Sequence, residues 1–427
     1  MHLNLIYVII DGLGDRPVEE LGNKTPLEAA ATPNMDSLAK NGETGMMYTV
    51  GKGIAPESDV GVISILGYNP FKYHTGRGPL EALGSEVHMN DGDLALRCNF
   101  ATLGSGNKIV DRRAGRNLAV EEAAELSKAI NEGVKFESYP ANFEFKNTIV
   151  HRGVLVIRSE RKPLSGNISN TDPAYSRVEG FGVAEVDIEM TLKTCTPLEE
   201  TEKAIISAKL VNEFTKKSYL VLDKHDVNEK RATQGKLKAN LILTRDAGHL
   251  VPKFFNINER YGVRFACLAD MPVERGIAKL AGMHMVALPP PSEDIERDYI
   301  HRVEKLRHLL PRYNCLYLHI KGPDVPSHDG NPHLKKRLIT AIDKHLFGKL
   351  LQKIKMEDHI ICITADHSTP CELKAHSDDP VPLLVSGNKI EGDNVHKFSE
   401  KECRKGSLGV LEQGIELMPK LIARLKG

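Results

Sequence analysis

The densest chemical signal in this sequence is a set of carboxylates and imidazoles: Asp324, His328, Asp366, His367 and His376, with Asp11 more than 300 residues away. Oxygen and imidazole nitrogen donors together suit borderline or hard divalent ions such as Zn²⁺ and Mn²⁺. No thiolate belongs to the set, which excludes a cysteine-rich zinc site. Asp324 and His328 lie four apart in Gly322-Pro-Asp-Val-Pro-Ser-His-Asp-Gly330, where two prolines predict a turn following a strand. The adjacent pair Asp366 and His367, in Thr364-Ala-Asp-His-Ser-Thr-Pro370, can reach one ion or two. Any one of the 17 histidines alone reads as an ordinary hydrogen-bonded residue. The grouping of three histidines and three aspartates at the polar ends of apolar runs favours a metal site.

Ser58 sits in Gly51-Lys-Gly-Ile-Ala-Pro-Glu-Ser-Asp-Val-Gly61, ahead of an apolar stretch from Val60 to Leu66 that predicts a helix start. A helix N-terminus offers free N–H groups and positive potential to a phosphoryl group. The plainer alternative is that Ser58 only caps the helix. Arginines form a second theme: Arg112, Arg113 and Arg116 in Asp111-Arg-Arg-Ala-Gly-Arg116, then Arg152, Arg158, Arg245 and Arg275. Guanidinium forks grip carboxylate and phosphate bidentately. Structural salt bridges are the competing use, and the favoured one for Arg158.

Four short apolar runs position these groups: Leu5 to Ile10, Cys315 to Ile320, His359 to Thr364 and Val381 to Val385. Continuous runs of this length predict central parallel strands buried on both faces. Amphipathic stretches between them, such as Thr32 to Lys40 and Lys335 to Ile354, predict helices, hence an α/β, doubly wound sheet. Ligands bind beyond the carboxyl ends of such strands, where Asp11, Asp324, Asp366 and His367 fall. The middle of the chain reads as an inserted α/β domain, with strands at Asn147 to Ile157 and Tyr219 to Leu222 and helices at Val120 to Asn131 and Pro197 to Phe214. The expected division is 1–80 plus 255–427 for the metal-binding domain and 81–254 for the insert. The Pro289-Pro-Pro291 run is a competing second crossover.

With 57 basic and 57 acidic side chains and no long basic block, the sequence argues against a nucleic-acid or anionic-membrane binder. The eight apolar residues from Leu3 to Ile10 are far short of the about 20 a bilayer span needs. With no basic n-region or small-residue cleavage site in the first residues, the expected location is the cytoplasm. Seven scattered cysteines without a C-x-x-C pair read as reduced thiols. No P-loop is present, and Gly12-x-Gly14 lacks the third glycine of a dinucleotide site.

Taken together the segments resemble the archaeal-type cofactor-independent phosphoglycerate mutases of the alkaline phosphatase superfamily. The resemblance rests on Asp11-Gly-Leu-Gly-Asp-Arg-Pro17, Thr25 to Asn34, Gly53 to Pro70, Gly76 to Gly84, Asp111 to Arg116, Asp324-x-x-x-His328-Asp-Gly330, Thr364 to Pro370 and His376 to Pro382. It departs from the family pattern at Ser327, where glycine is usual, and at His74. It implies an alkaline-phosphatase-like domain made from both halves of the chain and a smaller inserted transferase domain. Asp324, His328 and His376 are implied as ligands of one divalent ion, and Asp11, Ser58, Asp366 and His367 as ligands of a second. Mn²⁺, Zn²⁺ or Co²⁺ is the implied metal, with no bisphosphoglycerate. The implied glycolytic reaction moves the phosphoryl group of 3-phosphoglycerate through a phosphoserine at Ser58 to give 2-phosphoglycerate. Asp111, Arg112, Arg113, Arg116, Arg152, Arg245 and Arg275 are the implied substrate contacts, with closure between the domains excluding water.

Rival readings on the same metal centre are a phosphomonoesterase, a phosphodiesterase or a phosphosugar mutase. The retained arginine set argues against a simple hydrolase, which has no need to hold its dephosphorylated product. A catalytically silent phosphometabolite-binding protein is a further rival, disfavoured because Ser58 and every ligand position are filled.

Overall fold

A computed structural model describes residues 3–178, 181–185, 188–289, 292 and 294–427. Pro290 and Pro291 of the proline run lie outside them. The chain forms two compact units, one of Met1–Tyr73, Phe254–Asp270 and Ile277–Gly427, the other of His74–Lys253 and Met271–Gly276. The first crossover thus falls at 73/74 where the sequence suggested 80/81. The reason is local packing: the Arg77–Gly84 helix lies so close to its neighbours that a Cβ at Gly78 would stand 2.2 Å from the Ala95 carbonyl oxygen. Met271–Gly276 joins the same unit because Gly276 and Gly84 let two helices touch through backbone, with Leu80 and Pro272 carbonyls against them.

The first unit is built on an eight-stranded sheet in the order His284–Met285, Phe265–Leu268, Cys315–Ile320, Asn4–Ile10, His359–Thr364, Val381–Gly387, Gly42–Met47 and Gly409–Leu411. Asn4–Ile10 lies between Cys315–Ile320 and His359–Thr364 and is parallel to both. Every residue of these three strands is buried. Since successive side chains point to opposite faces, both faces are covered. Each large aliphatic side chain so buried contributes about 1.5–3 kcal/mol. Val381–Gly387 departs from the expected parallel arrangement: it runs antiparallel to both its neighbours. A continuous apolar run reports burial on two faces and carries no information on strand direction.

The Pro33–Lys40 helix follows the expectation, and the predicted Lys335 to Ile354 helix is a run of Pro332–Ala341, a π-helical turn at Ile342–Phe347 and Gly348–Leu351. Lys335 is fully buried on this run. Its Nζ lies 2.8 Å from Asp15 Oδ2 and donates to the carbonyls of Gly14 and Thr369. The buried pair pins the loop after the first strand to the loop after His359–Thr364.

The second unit holds an antiparallel sheet of Leu94–Leu103, Ile109–Asp111, Ala141–Asn147, Arg152–Ser159 and Leu241–Gly248. Helices Val120–Gly133 and Glu202–Leu222 pack on it around Leu96, Phe100, Leu126, Val211 and Phe214. Two sequence expectations are corrected here. The predicted Asn147 to Ile157 strand is the end of one strand, a turn and most of the next. Tyr219 to Leu222 is the last turn of a helix, because a four-residue apolar run does not distinguish a strand from the buried end of a helix. All seven cysteines are buried. Among the described residues no helix is long and apolar enough to cross a membrane.

The buried Lys335–Asp15 pair yields a stability prediction. Lys335→Met leaves Asp15 buried and uncompensated and is expected to cost about 3–5 kcal/mol in denaturant unfolding, while Lys335→Met/Asp15→Leu recovers much of it. A single substitution within 1 kcal/mol of wild type, on the same about 3–5 kcal/mol scale, contradicts this role of the pair.

Candidate metal centre

Three neighbouring parallel strands deliver the reactive groups. Asp11 follows Asn4–Ile10 directly, its N–H bonded to the Ile320 carbonyl at 3.0 Å. Asp366 and His367 follow His359–Thr364. Asp324 and His328 are separated from Cys315–Ile320 by a short loop and occupy a helical turn, Asp324–His328, where the sequence predicted a turn following the strand. Pro326 is tolerated there because the first turn of a helix has N–H groups without intrahelical partners. The i, i+4 spacing then brings the two side chains to one face.

Ser58 is the first residue of the Ser58–Ile65 helix, and the cap position is Glu57, whose side chain makes no capping bond. The hydroxyl is thus released from the capping role. It lies 3.2 Å from His367 Nε2. Gly61 allows this approach, since a Cβ there would stand 2.2 Å from the Asp366 carbonyl oxygen.

Two three-residue groups result. In Asp324, His328 and His376, and in Asp11, Asp366 and His367, the ligand atoms of each group lie within 4.8 Å of one another. His367 Nε2 is 3.2 Å from Asp11 Oδ1 and 3.4 Å from Asp366 Oδ2. His328 Nε2 and His376 Nε2 face each other at 3.3 Å, with Asp324 Oδ1 3.4 and 3.6 Å from them. The groups adjoin, because the His367 and His376 rings stack at 3.8 Å.

The hydrogen bonds behind these rings test whether a cation fits. His328 Nδ1 lies 2.9 Å from the Lys374 carbonyl and His376 Nδ1 2.8 Å from the Pro56 carbonyl. A carbonyl only accepts, so each Nδ1 carries the proton and each neutral ring presents a bare Nε2 lone pair. Two lone pairs 3.3 Å apart beside a carboxylate call for a proton or a cation between them. In the other group, Asp11 Oδ1 is buried and accepts no hydrogen bond. The donor set therefore fits divalent ions.

Charge is balanced locally. Burial pushes the Asp11 carboxyl up, but the Lys321 ammonium, 2.5 Å from Oδ2, and His367 hold it well below the usual carboxylate range. Burial and the Asp11 charge likewise oppose Asp324, and His376 and His367 overcome them to keep it low. His376 is raised, burial and His367 being outweighed by Glu57 and Asp324.

The arginines belong to the second unit, and register decides which of them meet. Arg97 pairs across the sheet with Arg245, and Asn99 with Arg152, so these side chains share one face. Like charges directly opposite are destabilising. Glu81 lies 3.0 Å from Arg77 Nε and 3.4 Å from Arg97 Nε, and Asp246 lies 3.7 Å from Arg245 Nε. Burial, with Arg245 and Arg77 adding to it, lowers Arg97 to about 9. The buried Nε atoms of Arg97 and Arg245 donate no hydrogen bond. Tyr175 stacks on Arg245 at 3.6 Å. Arg112 makes a bidentate pair with Asp172 at 2.8 and 2.6 Å. Asp111 accepts the N–H groups of Arg113 and Gly115, which makes it a turn-forming residue. Arg116 stands in the left-handed region at φ 54° within that turn. Arg275 lies half-buried on the Pro272–Leu280 helix. Arg158 pairs with Glu144 and the His88 carbonyl, the salt-bridge role expected of it.

Sequence reasoning missed Arg77, Arg97, Glu81, Lys321 and Thr369. Arg97 had a readable signal, a lone charge inside the apolar strand Leu94-Ala-Leu-Arg-Cys-Asn-Phe100. Lys321 stood directly after the apolar run Cys315 to Ile320, three residues before Asp324.

A family model of 2,3-bisphosphoglycerate-independent phosphoglycerate mutase matches residues 39–228. The chain is 43% identical to the 2,3-bisphosphoglycerate-independent phosphoglycerate mutase of Aeropyrum pernix over 100% of both chains. It is 40% identical to the protein of the same name from Thermococcus kodakarensis, over 97% of this chain and 95% of that one. Among solved structures, it resembles the PH0037 protein from Pyrococcus horikoshii with 31% identity and a TM-score of 0.79, covering 100% and 98% of the two chains. The cofactor-independent phosphoglycerate mutase from Thermoplasma acidophilum also shows 31% identity, with a TM-score of 0.62 and 100% coverage of each chain.

The convergence of His328 and His376 on Asp324 gives a direct test by equilibrium dialysis against Mn²⁺. His328→Ala and His376→Ala are each expected to weaken the same single equivalent by more than the about 10–100-fold that an outer-shell partner costs. Undiminished binding in both variants contradicts the grouping.

Proposed function

Since the chain belongs to the 2,3-bisphosphoglycerate-independent phosphoglycerate mutase family, we propose that it interconverts 3-phosphoglycerate and 2-phosphoglycerate through a phosphoserine at Ser58, with no bisphosphoglycerate. What supports the assignment of Ser58 is its hydroxyl at the start of a helix, 3.2 Å from His367 Nε2 and beside two groups of metal-type ligands.

In this reading Ser58 Oγ attacks the phosphorus, the bond from phosphorus to the substrate's 3-oxygen breaks as the bond to Oγ forms, and the hydroxyl proton ends on the released 3-oxygen. The 2-hydroxyl of the retained glycerate then takes the phosphoryl group and returns a proton to Ser58. The N–H groups of the first helical turn face the added negative charge, and the Lys321 ammonium offsets the Asp11 carboxylate beside it. Asp324, His328 and His376 would hold one divalent ion, and Asp11, Asp366, His367 and the Ser58 oxygen a second. Such ions lower the serine hydroxyl pKa and neutralise phosphoryl charge. Nitrogen and oxygen donors without thiolate fit Mn²⁺, Zn²⁺ or Co²⁺.

The buried guanidinium groups of Arg77, Arg97 and Arg245, with the half-buried one of Arg152, are the stronger candidates for holding the substrate carboxylate. Among the arginines chosen from sequence, Arg112 serves by pairing with Asp172, and Arg113, Arg116 and Arg275 remain candidate contacts. Retaining the glycerate is what separates a mutase from a phosphatase, since released glycerate leaves the phosphoserine to water. Seven buried, scattered cysteines support a reducing compartment, the cytoplasm.

Phosphorus NMR of 3-phosphoglycerate with metal-stripped protein and added Mn²⁺ is expected to show 2-phosphoglycerate without matching inorganic phosphate, and EDTA to abolish the signal. Phosphate alone identifies a hydrolase and overturns the mutase reading. Ser58→Ala is expected to lower turnover by more than about 1,000-fold with the melting temperature unchanged. Wild-type turnover in that variant overturns the phosphoserine.

A further inference from the structure

We propose that Thr369 is a positioning residue whose single hydroxyl joins the two ligand groups and sets the metal-binding form of His367 in one and of Asp324 in the other. This rests on reading both groups as metal ligands. Thr369 Oγ1 lies 2.9 Å from Asp324 Oδ1 and 3.0 Å from His367 Nδ1. A hydroxyl has one proton and two lone pairs, and an ionised carboxylate can only accept. The Thr369 proton is therefore committed to Asp324. Its lone pair then faces His367 Nδ1, which must donate. A neutral His367 is left with a bare lone pair on Nε2, the atom 3.2 Å from both Ser58 Oγ and Asp11 Oδ1. The opposite tautomer would set two lone pairs against each other at Nδ1 and place a proton where a ligand atom is needed.

The hydroxyl is held in place from several sides. Thr369 is fully buried, its N–H donates to the Gly14 carbonyl at 3.0 Å, and its own carbonyl accepts from Lys335 Nζ at 3.1 Å. Gly12, at φ +62°, leaves the space it occupies: a Cβ there would stand 2.8 Å from Thr369 Oγ1 and 2.9 Å from the Asp324 Cα. Asp324 Oδ1, the atom that accepts the Thr369 hydrogen bond, is also the one that faces His328 and His376. One hydroxyl thus orients a ligand in each group, and its loss acts on both ions together. A residue that merely fills space, or that serves one site, predicts a different pattern.

Two measurements decide this. Calorimetric titration of metal-free protein with Mn²⁺ is expected to show Thr369→Val weakening both equivalents by about 10–100-fold, with Thr369→Ser restoring them to within about threefold of wild type. Wild-type affinities in the valine variant, or loss confined to one equivalent, overturn the proposal. Nitrogen-15 NMR of the metal-free wild-type imidazoles is expected to show His367 with its proton on Nδ1. A proton on Nε2 alone overturns the proposal without reference to any variant, and so decides it even if Thr369→Val does not fold. Failure of the wild type to take up two equivalents refutes the metal-centre reading itself, an outcome distinct from the bridge failing in a protein that binds both.

Discussion

The placement of Asn4–Ile10 between two strands more than 300 residues away is the constraint on which the first unit depends. Its in-register parallel pairing with Cys315–Ile320 and His359–Thr364 fixes three strand ends side by side. Parallel strands require crossovers, so the chain between them is free to form other structure, including a second compact unit. The same pairing gives the strand neighbours on both edges and cover on both faces, so a seven-residue segment is wholly buried. A substitution in that strand is therefore felt at the strand ends where the chemistry lies.

Gathering three aspartates and three histidines at those ends carries an electrostatic cost, and nearby groups offset it. Lys321 stands against Asp11, and backbone carbonyls fix the histidine tautomers. Lys335, Asp15 and Thr369 connect the loops from behind. The glycines that matter are those where backbone meets side chain: Gly61 beneath Ser58 and Gly12 beneath Thr369. The second unit has the opposite charge problem. Its paired arginines sit on one buried face with Glu81 and Asp246 as counter-charges.

Much of this was legible in the residues. Strands whose side chains face apolar surroundings on both sides announce themselves as short apolar runs, and Cys315–Ile320 and His359–Thr364 have the expected bounds. Charged residues just past such runs mark strand ends, which is why Asp11, Asp366 and His367 could be named. Ser58 before an apolar helical stretch was readable for the same local reason. Tyr219 to Leu222 was misread because four apolar residues carry too little period to separate strand from helix.

What the sequence by itself determined was the identity of the buried strands and the polar groups at their ends, since both follow from hydropathy within a few neighbouring residues. The tertiary structure alone decided the direction of Val381–Gly387, the meeting of Arg97 with Arg245, and the sharing of Thr369 between Asp324 and His367. Each of these depends on register or hydrogen-bond geometry between segments far apart in the chain, and such long-range pairings leave no periodic trace in local residue order.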